Sequence, residues 1–261
     1  MGQVTTTDRR TVLRATAGLA FTAGLAFTAG CATHGAVAHP APSRSAAPSA
    51  GPPAPGPRRL PGLPAQLTHG PRDRPRVALT FHGNGEPATA RALLSAAEAH
   101  GARITVLAVG SWLDAHPELA RRILDGGHDL GNHTLHHLGV NDMSEADALA
   151  EIEGCADRLR GLTGSIGSWF RPSRAARASP LVERLARRVG YPHVLSYDVD
   201  ALDFTSPGAP AITRKVLGEV RNGSVVSLHF GYADTVAALP AVLEALDRRG
   251  LAAVTTTELF S

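Results

Sequence analysis

From residue 76 onward, short apolar runs alternate with helical patterns, which restricts the chain to an α/β fold built on a parallel sheet. The strand-like runs fall at 76–81, 103–109, 128–132, 166–170, 193–198, 224–228 and 251–255. Helical patterns lie between them at 87–100, 117–125, 144–159, 180–189, 209–220 and from Asp234, placed as a cap, to about 249. Six or seven strand–helix units fit in that length. Just past successive strand ends come His82, His133, Arg171, Asp203 and His229. On an α/β barrel the carboxyl ends of the strands form the face that carries chemistry. Five such residues on one face point to a site rather than to scattered surface polarity.

Residues 126–137 read GGHDLGNHTLHH, a Gly-rich turn, a short run and then histidines. His133 and His137 are four positions apart, a spacing that aims two imidazoles at one ion. Taken alone, the cluster also fits solvated surface or core histidines bonded to backbone. Ser144, with Asp147 three residues on, reads as the N-cap of the next helix. Cys155 lies on that helix and reads as a small buried hydrophobe rather than a nucleophile.

The first 75 residues are of a different kind. Arg9-Arg10 precedes an apolar run, 15–30, too short and too rich in Gly and Ala for a membrane span. Residues 1–31 therefore read as a twin-arginine export signal. Thr28-Ala29-Gly30-Cys31 resembles a lipoprotein cleavage box, with Thr28 where Leu is usual, so a lipid anchor at Cys31 is expected. Residues 32–75, dominated by Pro, Ala, Ser and Gly, bury too little to offset their ordering entropy and read as a disordered linker. In extended form, at about 3.1 Å per residue, such a linker reaches on the order of 100 Å from a membrane. With Cys31 lipidated, Cys155 has no disulfide partner. The formal net charge of +3 is spread along the chain without a basic stripe, which argues against nucleic acid.

The order of motifs over 76–261 resembles the polysaccharide deacetylase family, whose catalytic domain is also called the NodB homology domain. His133-Thr134-Leu135-His136-His137 matches its His-Ser/Thr-x-x-His metal motif. Phe170-Arg171-Pro172 resembles its third motif, Asp200-Ala201-Leu202-Asp203-Phe204 its Asp-x-x-Asp-Trp, and Ser227-Leu228-His229 its Leu-x-His. The resemblance implies a distorted (β/α) barrel of about seven units. It implies metal-dependent removal of N- or O-acetyl groups from an extracellular or cell-wall polysaccharide, with zinc, or else cobalt or nickel, as the ion. His133 and His137 are then metal ligands. Arg171 positions the general base, and His229 is the general acid, oriented by Asp203.

The first family motif, Thr-Phe-Asp-Asp-Gly, is altered to Thr80-Phe81-His82-Gly83-Asn84-Gly85. His82 falls at the position of the base and Gly83 at that of the third ligand. Three readings follow. His82 acts as base, its reference pKa of about 6.5 suiting the role, with oxygen from Glu86, Asn84 or water completing the metal site. Alternatively His82 joins His133 and His137 in a three-histidine zinc site. In the third, the barrel binds glycan on its tether without turnover. Ser173 and Arg174 replace a Pro and an aromatic residue, making the mouth more polar, while Phe204 replaces Trp and Ser227 replaces Leu.

Overall fold

The computed structural model describes residues 54–261. The expected export signal, Cys31 and residues 32–53 of the expected linker lie outside the described residues. No helix among the described residues is long and apolar enough to cross a membrane.

Among the described residues, eight strands and eight α-helices follow one another as β1 (Gln66–Leu67), β2 (Arg76–Gly83), α1 (Pro87–Ala99), β3 (Thr105–Ala108), α2 (Gly110–Ala115), α3 (Glu118–Asp125), β4 (Asp129–Asn132), α4 (Glu145–Thr163), α5 (Pro180–Val189), β5 (Val194–Leu195), β6 (Val199–Asp200), α6 (Ala209–Glu219), β7 (Val225–His229), α7 (Ala233–Arg248), β8 (Ala252–Ala253) and α8 (Thr256–Leu259). The main sheet runs in the order β4-β3-β2-β7-β6, and β8 pairs with the start of β2. Every ladder between these strands is parallel. Phe170 bridges Asn132 on one side and Val194 on the other. Because β5 and β6 are successive pieces of one extended stretch, the ring closes through that stretch rather than through a full strand. This is a distorted barrel, as expected.

Period-2 alternation sorts each strand into two faces. On β2, Val77, Leu79 and Phe81 pack outward into the main core with α1 and α7, while Ala78 faces the small inner cluster. Thr80 and His82 share the parity of Ala78, so they point into the barrel. On β7, Val226 and Leu228 go to the outer core, and Ser227 and His229 go inward. The sequence therefore aims His82 and His229 at the barrel mouth by register alone.

Four expectations change. Residues 54–75 are not all linker: β1 pairs with β5, and Leu67 is buried. His193 holds this segment by accepting from Leu60 N and bonding Pro64 O. The strand expected at 166–170 shrinks to the bridge at Phe170, because Gly167, at φ +84°, lies so near β4 that a Cβ there would sit 2.8 Å from Leu130 O. The strand expected at 193–198 is split. The Asp198 carboxylate takes Val225 N at 2.8 Å and Arg72 at 2.7 Å, interrupting the ladder between Leu195 and Val199. Asp234 does not cap α7; its carboxylate accepts from Gly208 N, and Tyr232 holds the cap position without a side-chain bond.

Ser144 does cap α4, accepting from Asp147 N at 3.2 Å and donating to the Asp147 carboxylate at 2.7 Å. Ser144→Ala should lower stability by about 1 kcal/mol, read as a shift in the urea midpoint with an unchanged slope. On the same helix Cys155 is fully buried and donates to Ala108 O, and burial pushes its thiol up to about 12. The native protein should therefore leave an aromatic disulfide reagent unreacted at this thiol, with colour developing only on denaturation.

Candidate active site

The loop after β4 carries the histidines and is held by polar groups from three elements. Asn132 Nδ2 donates to Ile152 O and Tyr191 Oη, while its Oδ1 accepts from Thr134 N at 2.9 Å. Thr134 Oγ1 donates to Ser173, whose hydroxyl donates to Leu138 O. His136 is turned away from its neighbours, its main-chain N and ring Nδ1 both bonded to Glu151 at 2.8 and 2.7 Å. These bonds sustain left-handed backbone at Thr134 (φ 68°) and His137 (φ 59°). A non-glycine residue there costs about 1–2 kcal/mol, so the strain is tolerated where it points His133 and His137 inward together.

His133 is fully buried, and its Nδ1 lies 3.0 Å from Arg171 O. A carbonyl oxygen only accepts, so Nδ1 carries the proton and Nε2 presents a bare lone pair. Among the described residues, that Nε2 is the buried side-chain nitrogen or oxygen left without a hydrogen-bond partner. A buried acceptor without a partner costs roughly 1–3 kcal/mol, which a bound cation removes. The ligand atoms of His82, His133 and His137 all lie within 4.8 Å of one another, a gap that small ring rotations close around one ion. Burial, reinforced by neighbouring histidines, holds His82 and His133 well below the usual histidine range. Burial and then Arg174 lower His137. All three are thus held neutral, the form that ligates. The donor set fits a borderline ion such as zinc. Glu86 is exposed and lies outside this cluster, which removes it as an expected oxygen donor.

Facing the cluster is a hydrogen-bonded histidine–aspartate pair. His229 Nδ1 is 2.7 Å from Asp203 Oδ1, and Asp203 Oδ2 accepts from His229 N at 2.8 Å and Thr235 Oγ1 at 2.6 Å. Asp203 is fully buried, so the carboxylate fixes both the tautomer and the tilt of the ring. His229 Nε2 is left for the pocket. Phe204 and Tyr232 pack edge-on against that ring, at centroid distances of 5.4 and 5.9 Å.

Arg171 differs from expectation. It is fully buried and does not line the pocket, and its guanidinium donates to Thr80 Oγ1, Leu195 O and Ser196 O at 2.9, 3.2 and 3.0 Å. All three acceptors are neutral, so it ties β2 to the 194–200 stretch instead of orienting a carboxylate base. Burial lowers its pKa to about 10, leaving it charged at neutral pH. The pocket itself has a volume of about 380 Å³; His82, His137 and His229 form its floor, with Arg174, Tyr197 and Phe204 on its walls. Tyr197 and Tyr232 were not singled out by the sequence, since a lone Tyr in a loop carries no spacing signal. Glu151, buried on α4, was missed because it serves the site only through His136.

Comparison with known proteins places this pocket in context. The polysaccharide deacetylase family profile matches residues 69–194. A peptidoglycan-N-acetylglucosamine deacetylase of Bacillus cereus is 29% identical over 202 residues, covering 73% of this chain and 90% of that protein. The chain spans 39% of the length of similar Listeria monocytogenes deacetylases. Among solved structures, a peptidoglycan N-acetylglucosamine deacetylase superposes with a TM-score of 0.70 at 25% identity, over 75% of this chain and 92% of that one. A family 4 carbohydrate esterase pseudoenzyme from Bacillus anthracis shares the fold, with a TM-score of 0.72 at 21% identity over 76% and 70% of the two chains.

Proposed function

Because the chain belongs to the polysaccharide deacetylase family, we propose that it is an exported hydrolase that removes acetyl groups, N- or O-linked, from a cell-wall or extracellular polysaccharide. The observation that carries this reading is the unpartnered, buried Nε2 of His133 inside a histidine cluster that shares one pocket with the Asp203–His229 pair. An ion held by His133 and His137 would polarise the acetyl carbonyl and bring the pKa of a water toward about 7. His229 supplies the proton that the departing amine or alkoxide requires, from Nε2, the ring nitrogen that faces the pocket. Asp203 stabilises the imidazolium that forms between turnovers. Phe204 and Tyr232 shield the His229 ring from bulk water, and Arg174 at the mouth favours a glycan bearing a negative group nearby. Tethering through Cys31 and the residues after it would place the pocket within reach of wall polymer.

A glycan-binding module without turnover is the second reading, favoured by the absence of a carboxylate at positions 82 and 83. It leaves unexplained why a buried aspartate accepts three hydrogen bonds, two from His229 and one from Thr235. The deciding test is release of acetate from peptidoglycan, chitooligosaccharides and acetylated xylan, by the protein loaded with zinc or cobalt. Acetate from one of these, suppressed by chelation, supports the hydrolase. Retention of glycan with no acetate from any of them establishes the binding module.

A further inference from the structure

We propose that His82 is the third metal ligand, so that this chain holds its ion with three imidazoles and no carboxylate. The inference rests on the reading of the pocket as a metal-dependent hydrolase site.

Three observations carry it. The first is register. His82 is the last inward-facing residue of β2 and pairs directly with His229 of β7. Its ring centroid is 4.4 Å from that of His133 and 4.3 Å from that of His229, and its ligand atom falls within the 4.8 Å set. A base has to work on the face of the acyl carbon opposite the acid. Side-by-side placement of His82 and His229 on neighbouring strands does not give that separation, whereas placement against His133 is what a ligand needs.

The second is the lack of room at Gly83. This residue has the outward parity of Phe81, and a Cβ there would lie 2.8 Å from Val106 Cγ1 and 3.0 Å from the Cα of Ala108. The wall of β3 thus closes the position from which the family supplies a carboxylate. The third is elimination. Among the described residues no Asp, Glu or Cys joins the histidine cluster. The Asp203 carboxylate is fully engaged with His229 and Thr235.

A set of three neutral nitrogens favours zinc or cobalt over magnesium or calcium, which prefer oxygen. It also leaves the charge of the ion uncompensated by the protein.

The test uses the full chain without a His tag, stripped of metal, then titrated with cobalt(II) and followed by visible absorption. Zinc affinity is measured by competition with a chelating dye. The wild type should bind one equivalent with the intense bands of a four-coordinate site. His82→Ala should weaken zinc by at least about 100-fold, more than loss of an outer partner does, and weaken the bands. His82→Asp, which restores a ligating oxygen, should recover most of the affinity with a shifted spectrum, and His229→Ala should resemble the wild type. Wild-type affinity and bands in both His82 variants would overturn the proposal while leaving the hydrolase reading standing. A wild type that binds neither ion would overturn both.

Discussion

Replacing His133 with Ala should empty the proposed metal site. His133 Nε2 has no protein partner, so the side chain is held in a fully buried position for an acceptor role the protein itself does not fill. Loss of an outer-sphere partner alone costs about 10–100-fold in metal affinity, and loss of this ligand should exceed that range. The effect has a thermal readout. Zinc at 100 times its dissociation constant stabilises the native state by about 2.7 kcal/mol. For a domain of this size each kcal/mol moves the midpoint by about 2–4 °C, so zinc should raise the wild-type melting temperature by roughly 5–10 °C. The His133→Ala protein should show no such rise. Its fold should survive, because the loop is anchored through Asn132, Thr134 and Glu151 rather than through the His133 ring. An equal rise in wild type and variant would show that zinc binds elsewhere.

The second large effect is on rate. His229→Ala removes the proposed proton donor to the leaving atom, and a positioned acid or base contributes about 10²–10⁴-fold. The turnover number should fall by that factor with zinc affinity unchanged. Asp203→Asn should also be slow, for a different reason. The carboxylate accepts from three donors, the His229 ring, His229 N and Thr235 Oγ1. An amide offers one oxygen, so a donor is left facing a donor, a mismatch of about 1–3 kcal/mol. Asp203→Asn should therefore lose stability as well as rate, and His229→Ala, which leaves the buried Asp203 Oδ1 without its ring partner, should lose some stability besides its rate. A His229→Ala protein that turns over at the wild-type rate would remove this histidine from the chemistry.

Much of this site is legible in the sequence because two periodicities carry it. Alternation along β2 and β7 fixes which residues face inward, and the ends of apolar runs fix how far along they sit. His82, His133 and His229 follow from those rules, and Asp203 from its spacing after a strand end. What alternation does not carry is decided by long-range partners. The break between β5 and β6 comes from the Asp198 carboxylate reaching Val225 and Arg72. The inclusion of β1 depends on His193 and on pairing with β5. Neither leaves a local mark, and composition favoured linker for the β1 segment. The Arg171 role was misjudged for a related reason. Its position was right, but its partner was inferred from a motif whose carboxylate this chain lacks, and Thr80 with two carbonyls takes that place. The relation of His82 to His133 is also invisible in one dimension, since it depends on how β2, β3 and β4 lie side by side.

The claim at the centre of this account is that a divalent ion sits among His82, His133 and His137. The direct measurement is metal content of the untagged full chain after dialysis, by elemental mass spectrometry, beside a His133→Ala/His137→Ala control. The account predicts close to one zinc or cobalt per chain, absent from the control. No bound metal even after reconstitution, or equal metal in both proteins, would contradict it.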